Sequence, residues 1–413
     1  MLCRQSPYDC LQLLIPTMLH IRRHFFLPFF LLFSLSLLAQ TQPSHATETL
    51  QQLAERLLNG KQGSIVAIEP KTGRILALVS RDKIGDGVNR AVSTTYSPGS
   101  TFKTAQALYF LSSRWLSADK TYPCHKGFYF NKIHVGCHAH KAPLDLVGAI
   151  GQSCNSYFCK AYQEYIDDRS FTLTKWRAIN SWAMFMHSLG LGIAIAPSLA
   201  NEATGLVPDS AYMRNHYRAW NGTTIMWMGM GQGEVKTSPL QLCNLAALIA
   251  NGGWWITPHV DDNLSNIGQL SPDPQGDDST TADKPVRHES MATPDAIARV
   301  QRGMRLCVTH GTAAAINTPA YRICGKTGTA ENKGEDHSIF MGYAPMVNAR
   351  VAVSVYVENG GFGADLAAPI ASLIIEKALT GHLSKASEAK AERWAKHQVK
   401  ITPVEIPVSF DNL

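Results

Sequence analysis

Apolar positions alternate with polar ones in short runs near both ends of this chain. Two such runs, Ser64–Ile68 and Arg74–Ser80, flank a turn-forming segment and predict a β-hairpin. Three more, Tyr321–Thr329, Ser338–Ala344 and Val351–Glu358, lie near the C-terminal end. This order predicts one five-stranded antiparallel sheet to which both ends of the chain contribute strands.

Helical periodicity dominates between the two groups of strands, and a last helix is predicted from Ala368 to Leu379. The fold class is therefore α/β of the α+β type: a five-stranded antiparallel sheet flanked by helices, with an inserted all-helical region. Residues 261–289 are rich in Asp, Ser, Pro and Gly and predict a mobile surface insertion. Residues 384–413 are charged and then interrupted by proline, so we expect a surface helix and a loose end.

The N-terminal segment has the layout of an export signal. Arg22 and Arg23 precede an apolar run, Phe25–Ala39, that is shorter than the roughly twenty residues of a membrane-spanning helix. We therefore expect residues 1–46 to be a cleaved signal peptide or a retained membrane anchor, with the rest of the chain exported. Met18 is an alternative start of translation within this segment.

Composition and charge narrow the classes of function. A chain of 413 residues with 45% apolar content can bury a large core, and one large domain is sufficient after the leader. The 38 Lys and Arg residues against 32 Asp and Glu residues give a net charge of +6, without a dense basic run. No nucleic-acid partner is therefore predicted, and the modest excess suits an anionic cell envelope.

A serine and a lysine three residues apart open one of the predicted helices. Pro98 and Gly99 precede Ser100, and apolar residues then recur at helical spacing. Lys103 therefore lies one turn away on the same face, where a neutral amine can accept the hydroxyl proton. Burial and the positive charge of Lys326 are expected to favour that neutral form.

A second pair of polar side chains lies on a predicted break between helices, from Gly151 to Asn155. Ser153 and Asn155 are separated by one residue, so both side chains can face the same cleft. Ser153 could relay a proton between Lys103 and a leaving group, while Asn155 could hold Lys103 or a substrate amide.

The third motif, Lys-Thr-Gly-Thr, ends a predicted strand. Gly328 is expected to let substrate backbone approach the strand edge. Lys326 and Thr327 are expected to bind a carboxylate. The backbone N–H groups of Ser100 and Thr329 are predicted to form an oxyanion hole.

Each motif is weak when it is taken alone. A serine and a lysine at this spacing usually mark a capped helix with a solvated lysine, and Lys71-Thr72-Gly73 lies in a hairpin turn to which we assign no chemistry. In this order and at wide spacing, however, S-x-x-K, S-x-N and K-T-G form the set of serine enzymes that react with penicillins. The predicted catalytic residues are Ser100, Lys103, Ser153, Asn155 and Lys326, and the predicted substrate-binding residues are Thr327, Gly328 and Thr329.

On these motifs the chain resembles the transpeptidase domain of class B penicillin-binding proteins, nearest to the elongation-type enzymes. The resemblance implies the fold that penicillin-binding transpeptidases share with serine β-lactamases, here over residues 47–383. The similar segments are Gly63–Ser80, Tyr96–Lys103, Gly229–Pro239, Ala250–His259, Gly311–Ala313, Gly325–Ala330 and His337–Pro345.

The resemblance also implies an activity and a location. Ser100 would attack the D-Ala-D-Ala bond of a peptidoglycan stem peptide, and an amine of a second stem peptide would resolve the acyl-enzyme. Penicillins would acylate the same serine, and no catalytic cofactor is implied. The implied location is the periplasm, with attachment to the inner membrane, and membrane proteins of cell-wall synthesis are implied partners. Family members usually carry a pedestal domain after the anchor, whereas only residues 40–49 separate the apolar run from the first predicted helix.

Three other functions use related chemistry. A serine β-lactamase shares the motifs, but the E-x-x-L-N stretch that supplies the deacylating glutamate of class A enzymes is absent from the sequence. A D,D-carboxypeptidase differs only in using water as the acceptor. A non-catalytic β-lactam sensor would be acylated without turnover, and the sequence contains no second signalling domain.

Seven cysteines follow the leader, and an odd number cannot all pair in an oxidising compartment. The simplest interpretation is a disulfide between Cys124 and Cys137, which bracket a hairpin-like loop. The alternative is a structural zinc site, and the resemblance favours it, because elongation-type relatives have acidic, His and Cys residues at comparable places that can hold zinc. The predicted ligands are Cys124, Cys137, His140 and Cys154. His138 is the predicted substitute for His140.

Overall fold

The computed structural model describes residues 48–130, 133–260, 285–332 and 334–402. The predicted leader, most of the predicted insertion and the end of the predicted tail lie outside the described residues. Within the described ranges, no helix is both long enough and apolar enough to cross a membrane.

Helices account for most of the regular secondary structure in the described chain. The α-helices are α1 (Leu50–Leu57), α2 (Lys103–Ser112), α3 (Leu146–Gly151), α4 (Asn155–Asp167), α5 (Arg169–Thr172), α6 (Lys175–Ser188), α7 (Ser210–His216), α8 (Gly222–Ile225), α9 (Pro239–Ala250), α10 (Pro294–His310), α11 (Ala367–Thr380) and α12 (Lys385–Lys396). Short 3-10 helices cover Gly99–Phe102, Met226–Met230 and Ala314–Ile316.

The strands form one large sheet and two small ones. They are β1 (Gly63–Ile68), β2 (Ile75–Arg81), β3 (Gly127–Phe130), β4 (Ile133–Gly136), β5 (Trp254–Ile256), β6 (Arg287–Glu289), β7 (Cys324–Ala330), β8 (His337–Ala344) and β9 (Val351–Val357). Strands β3 and β4 pair with each other, as do β5 and β6.

The large sheet contains five antiparallel strands in the order β2-β1-β9-β8-β7, which confirms the predicted sheet. The N-terminal hairpin and the C-terminal group of strands meet where β1 pairs with β9, with Gly63 opposite Val357. Strand β7, which carries the Lys-Thr-Gly-Thr motif, lies at one edge of this sheet. Its outer side can therefore form the wall of a cleft.

Both faces of the large sheet are buried against helices. Along β1, Val66 and Ile68 belong to one hydrophobic core, whereas Ile65 and Ala67 belong to the other. Helix α9 covers the first face, and helices α1 and α11 cover the second. Because both faces are buried, every position of β1 and β9 is buried, and these strands are apolar at most positions.

Strands β5 and β6 are not predicted by the sequence pattern. Residues 287–289 fall in the range interpreted as a mobile insertion, yet they pair in register with Trp254–Ile256. The His288 ring also stacks on Trp255, with the ring centroids 3.8 Å apart. The insertion prediction is therefore wrong for these last residues, because strands of three residues are too short to show a periodicity.

Helix α12, in the segment expected to be a charged tail, packs against the folded unit. Arg56 of α1 forms ion pairs with Glu388 and Glu392, each at 2.9 Å. Ala391 is fully buried, and the buried Lys61 amine donates a hydrogen bond to the Trp394 carbonyl. These contacts attach α12 to α1.

Helix α10 gives a direct test of this packing, because it lies against α2, α3 and β7. Met304 is fully buried on this helix, and Arg302 is exposed. We expect Met304→Ala to lower the free energy of unfolding by about 2–5 kcal/mol, because it leaves a cavity. Arg302→Ala should change it by less than about 0.5 kcal/mol. Urea unfolding followed by circular dichroism measures both, and equal effects of the two variants would contradict the packing described here.

Candidate active site

Ser100 lies in a tight turn, residues 98–102, which we call the serine turn. Gly99 has a positive φ of 54° and donates its N–H to the Gly231 carbonyl at 2.9 Å. A Cβ at Gly99 would lie 2.6 Å from the Thr329 carbonyl oxygen, and one at Gly231 would lie 2.1 Å from the Gly99 carbonyl oxygen. Only glycine fits at both positions, so these contacts hold the serine turn against β7.

The amine of Lys103, the first residue of α2, lies beside the Ser100 hydroxyl. Its Nζ is 2.9 Å from Ser100 Oγ. It is also 2.9 Å from the Ser153 carbonyl oxygen and 2.5 Å from Asn155 Oδ1. The side chain is fully buried, and this burial lowers the pKa of Lys103 to about 8. When the amine is neutral, it can donate its two N–H groups to these two oxygens and direct its lone pair at Ser100.

A second buried lysine lies on the other side of Ser153. Lys326 Nζ is 2.8 Å from Ser153 Oγ, and the same hydroxyl oxygen is 3.4 Å from Lys103 Nζ. Burial and the positive charge of Lys103 lower the pKa of Lys326 to about 7. Because two ammonium groups this close repel each other, the pair favours states in which one amine is neutral.

The S-x-N loop connects α3 to α4. Ser153 has a φ of 55°, which is uncommon for a residue with a side chain. Ser153 and Asn155 line a cleft, whereas Cys154 between them is only 1% exposed. Asn155 Nδ2 donates to the Gly136 carbonyl in β4 at 2.9 Å. Asn155 therefore connects the Lys103 amine to the β3–β4 hairpin.

Alternate residues of β7 face opposite sides of the sheet. Thr327 and Thr329 line the cleft, but a Cβ at Gly328 would lie 3.0 Å from Thr101 Cγ2 and 3.1 Å from the Pro98 carbonyl oxygen. The predicted role of Gly328 in substrate approach along the strand edge stays a prediction. In addition, a side chain at this position would point towards the serine turn. Its absence makes room for that turn.

All three motifs line one cleft of about 740 Å³. Its lining includes residues to which the sequence assigned no chemistry: Trp227, Gln232, Thr312 and Phe362. Gln232 and Thr312 lie in segments that resemble the family, 229–239 and 311–313, and this resemblance is a signal that could have found them. No local pattern marks Trp227 or Phe362.

Beside the S-x-N loop the structure brings the four predicted metal ligands together. The ligand atoms of this cysteine cluster all lie within 4.8 Å of one another: Cys124, Cys137, His140 and Cys154. The substitute ligand, His138, is outside this group. Cys137 Sγ accepts a hydrogen bond from the Asn155 N–H at 3.4 Å. A hydrogen bond from the Cys154 thiol holds the pKa of Cys137 well below that of an ordinary thiol. The seven cysteines of the described residues are free, so the alternative disulfide between Cys124 and Cys137 is not formed in this structure.

The chain matches a known family over most of its length. Residues 63–376 match the family described as penicillin binding protein transpeptidase domain. The peptidoglycan D,D-transpeptidase MrdA of Acinetobacter baumannii is 30% identical over 374 aligned residues, which cover 78% of this chain and 52% of the relative. The peptidoglycan D,D-transpeptidase PbpA of Mycobacterium tuberculosis is 31% identical over 369 aligned residues, which cover 78% of this chain and 67% of the relative. The chain thus spans about half the length of the Acinetobacter relative.

Solved structures have the same fold. PBP2 of Pseudomonas aeruginosa is 28% identical and superposes with a TM-score of 0.66, covering 85% of this chain and 75% of that one. The imipenem acyl-enzyme complex of penicillin-binding protein A from M. tuberculosis is 25% identical, with a TM-score of 0.62 over 80% of this chain and 78% of that one. These similarities confirm the predicted fold class.

Proposed function

The chain belongs to the penicillin-binding protein transpeptidase family, and on that premise we propose that it is a peptidoglycan D,D-transpeptidase. It joins two stem peptides through an acyl-enzyme on Ser100. The observation that carries this proposal is one connected set of polar side chains in the cleft: Ser100, Lys103, Ser153 and Lys326. The relatives MrdA and PbpA are peptidoglycan D,D-transpeptidases, which supports the same reaction.

The first half-reaction forms the acyl-enzyme. Neutral Lys103 accepts the hydroxyl proton while Ser100 Oγ bonds to the carbonyl carbon of the D-Ala-D-Ala peptide bond. The N–H groups of Ser100 and Thr329 stabilise the oxyanion of the tetrahedral intermediate. The proton then passes through the Ser153 hydroxyl to the leaving nitrogen, the C–N bond breaks, and D-alanine leaves.

The terminal carboxylate of the stem peptide binds beside Lys326 and Thr327. A carboxylate there favours the charged form of Lys326 and so raises its pKa in the complex. The neutral amine of the pair is then Lys103, as the first half-reaction requires. This division of roles needs no cofactor, because side chains supply the nucleophile, the base and the positive charge.

In the second half-reaction an amine of another stem peptide attacks the ester carbonyl. Lys103 takes a proton from the attacking nitrogen, the ester bond breaks, and Ser100 recovers its proton. Water in place of the amine gives the carboxypeptidase alternative, and rapid hydrolysis of a penicilloyl group gives the β-lactamase alternative. A sensor would form the acyl-enzyme and stop there.

The location follows from the leader. We assign residues 1–46 to export and to attachment at the inner membrane, with the transpeptidase domain in the periplasm, where peptidoglycan is accessible. Membrane proteins of cell-wall synthesis are the proposed partners. One similar structure, 26% identical with a TM-score of 0.66, is that of a peptidoglycan synthase complex, which supports this class of partner.

Covalent labelling tests the proposed nucleophile. A fluorescent penicillin should label the protein at Ser100, and Ser100→Ala should lose the label. Lys103→Ala should lower the acylation rate by about 10²- to 10⁴-fold, because the general base is lost. Lys326→Ala should also slow acylation, whereas Lys71→Ala, in the Lys-Thr-Gly of the β1–β2 turn, should leave it unchanged. Gel fluorescence and peptide mapping by mass spectrometry provide the measurement.

Other outcomes identify the competing functions. Persistent labelling of Ser100→Ala would place the nucleophile elsewhere. Release of the penicilloyl group within seconds would support the β-lactamase. On a defined stem peptide, exclusive transfer to water when an amine acceptor is present would support the carboxypeptidase, and no turnover would support the sensor.

The pH dependence of acylation tests the proposed base. Lys103 acts as a base only when it is neutral, and its pKa is lowered to about 8. Binding of the penicillin carboxylate also requires Lys326 to be charged, and its pKa is lowered to about 7. We therefore expect the second-order rate constant for penicillin acylation to rise with pH up to a maximum between about 7 and 8, where one amine of the pair is charged, and to fall at higher pH, where both amines are neutral. Stopped-flow fluorescence between pH 6 and 9.5 measures this profile. A rate that falls as the pH rises from 6 to 7 would exclude a neutral Lys103 as the base.

We also propose that the cysteine cluster binds a structural zinc ion. Three thiols and one imidazole form a common donor set for closed zinc sites, whose bond lengths of about 2.0–2.3 Å place the ligand atoms within roughly 4 Å of each other. The observed separations, within 4.8 Å, are close to that value. The bound ion would cross-link the β3–β4 hairpin to the S-x-N loop, since Cys137 directly follows β4 and Cys154 is the middle residue of the loop.

This cross-link reaches the reacting groups through Asn155. Asn155 Oδ1 accepts a hydrogen bond from Lys103 Nζ at 2.5 Å. The backbone N–H of Asn155 donates to Cys137 Sγ at 3.4 Å. Loss of the ion would therefore loosen the residue that orients the base.

Metal analysis tests the zinc site. Protein purified without added zinc should contain about one zinc per chain, and Cys137→Ser should lose most of it. Cys324→Ala, outside the cluster, should keep the metal. Less than about 0.2 zinc per chain, together with a linked Cys124–Cys137 peptide in a non-reducing digest, would replace the zinc site by the disulfide.

A further inference from the structure

The Gly311–Ala313 segment contributes Thr312 to the cleft, beside the Lys-Thr-Gly motif. The proposed mechanism gives this segment no role. Thr312 Oγ1 lies 2.5 Å from Thr327 Oγ1, so the two hydroxyls share a hydrogen bond. Both side chains line the cleft that also contains Ser100. Two hydroxyl groups are therefore next to each other at the position to which we assign the substrate carboxylate.

The backbone around Thr312 holds it firmly. A Cβ at Gly311 would lie 2.0 Å from the Gly151 carbonyl oxygen, so glycine lets the end of α10 touch the end of α3. The Ala313 N–H donates to the Cys307 carbonyl at 3.0 Å and closes the turn. The placement of Thr312 is thus fixed by backbone contacts and does not depend on its own hydroxyl.

The hydrogen bonds of that hydroxyl are made with side chains. Besides Thr327, Thr312 Oγ1 lies 3.3 Å from Cys307 Sγ. Thr309, in the last turn of α10, makes a different kind of bond. Its hydroxyl donates to the Arg305 carbonyl at 3.2 Å, which is a common structural use of a helical threonine. When a ligand binds, the hydrogen bond between the two threonines can be exchanged for bonds to the ligand: the Cys307 thiol can donate to Thr312, and both threonine protons then become available to acceptors in the cleft.

The electrostatics at this point suit an anion. The buried Lys326 amine donates to the Thr327 carbonyl at 2.8 Å, so its positive charge lies next to the threonine pair. A carboxylate accepts hydrogen bonds on both of its oxygens, and parallel charge-assisted bonds are stronger than neutral ones. A neutral ester or amide at the same place would lose the charge contribution of both bonds.

We infer that Thr312 is a further substrate-binding residue, which acts with Thr327 to bind the terminal carboxylate of the stem peptide and the corresponding carboxylate of penicillins. The inference rests on the proposed function and deepens it. Thr327 contributes one O–H donor, Thr312 the second, and Lys326 the charge. Thr312 is thereby a determinant of specificity for acids over neutral analogues.

The experiment compares acylation by benzylpenicillin with acylation by its methyl ester, in the full-length protein. The measured quantity is the ratio of the two second-order rate constants. Because both compounds react with the same folded fraction, this ratio does not depend on how much of a variant folds. Thr312→Val should lower the acid-to-ester ratio by about tenfold or more, since one charge-assisted hydrogen bond is lost.

Matched variants separate binding from structure. Thr312→Ser keeps the hydroxyl and should keep the ratio within about twofold. Thr309→Val, whose hydroxyl bonds only within the helix, should also keep the ratio of the unmodified protein. In the double variant Thr312→Val with Thr327→Val, the ratio should fall by less than the product of the two single effects, because both hydroxyls bind one group.

Two outcomes would overturn the inference in distinguishable ways. If Thr312→Val slows both compounds by the same factor, the residue has a structural role only, while the proposed transpeptidase function stands. If the unmodified protein reacts with neither compound, the proposed function fails and the carboxylate site fails with it.

Discussion

The site depends on the burial of two lysine amines around one serine hydroxyl. Lys103 and Lys326 both contact Ser153 Oγ, at 3.4 and 2.8 Å, and both side chains are fully removed from water. Desolvation lowers the pKa of each amine, and their mutual repulsion disfavours the doubly charged state. The chemistry needs one amine neutral beside Ser100 and the other charged beside a carboxylate, and an exposed pair of lysines would provide neither.

The rest of the fold holds these amines in place. The serine turn, the S-x-N loop and β7 come from distant parts of the chain and meet with almost no space between their backbones. Cβ atoms at Gly99 and Gly231 would lie 2.6 and 2.1 Å from neighbouring carbonyl oxygens. The sheet order places β7 at an edge, so its outer side can face the helical region that carries the two serines.

The hairpin, the cysteine cluster and the base form a continuous set of contacts. Asn155 donates to the Gly136 carbonyl and to Cys137 Sγ, and it accepts from the Lys103 amine. A change in the proposed zinc site would therefore act on the base through Asn155 and through the Ser153 carbonyl, which also accepts from the Lys103 amine. In the same cleft, Thr312 makes a similar link between the end of α10 and the Lys-Thr-Gly strand.

The sequence alone determined the five-stranded sheet and the three motifs, because strand periodicity and motif order are local properties of a chain. It also indicated the four residues of the cysteine cluster, since their types and spacing, with the family resemblance, suit a single site. Only the tertiary structure decided that β6 pairs with β5, that Gly328 faces the serine turn, and that Thr312 joins Thr327. Each of these depends on segments that are distant in sequence, or too short for a pattern, becoming neighbours when the core packs. Burial, which sets the pKa values of both lysines, also arises only from that packing.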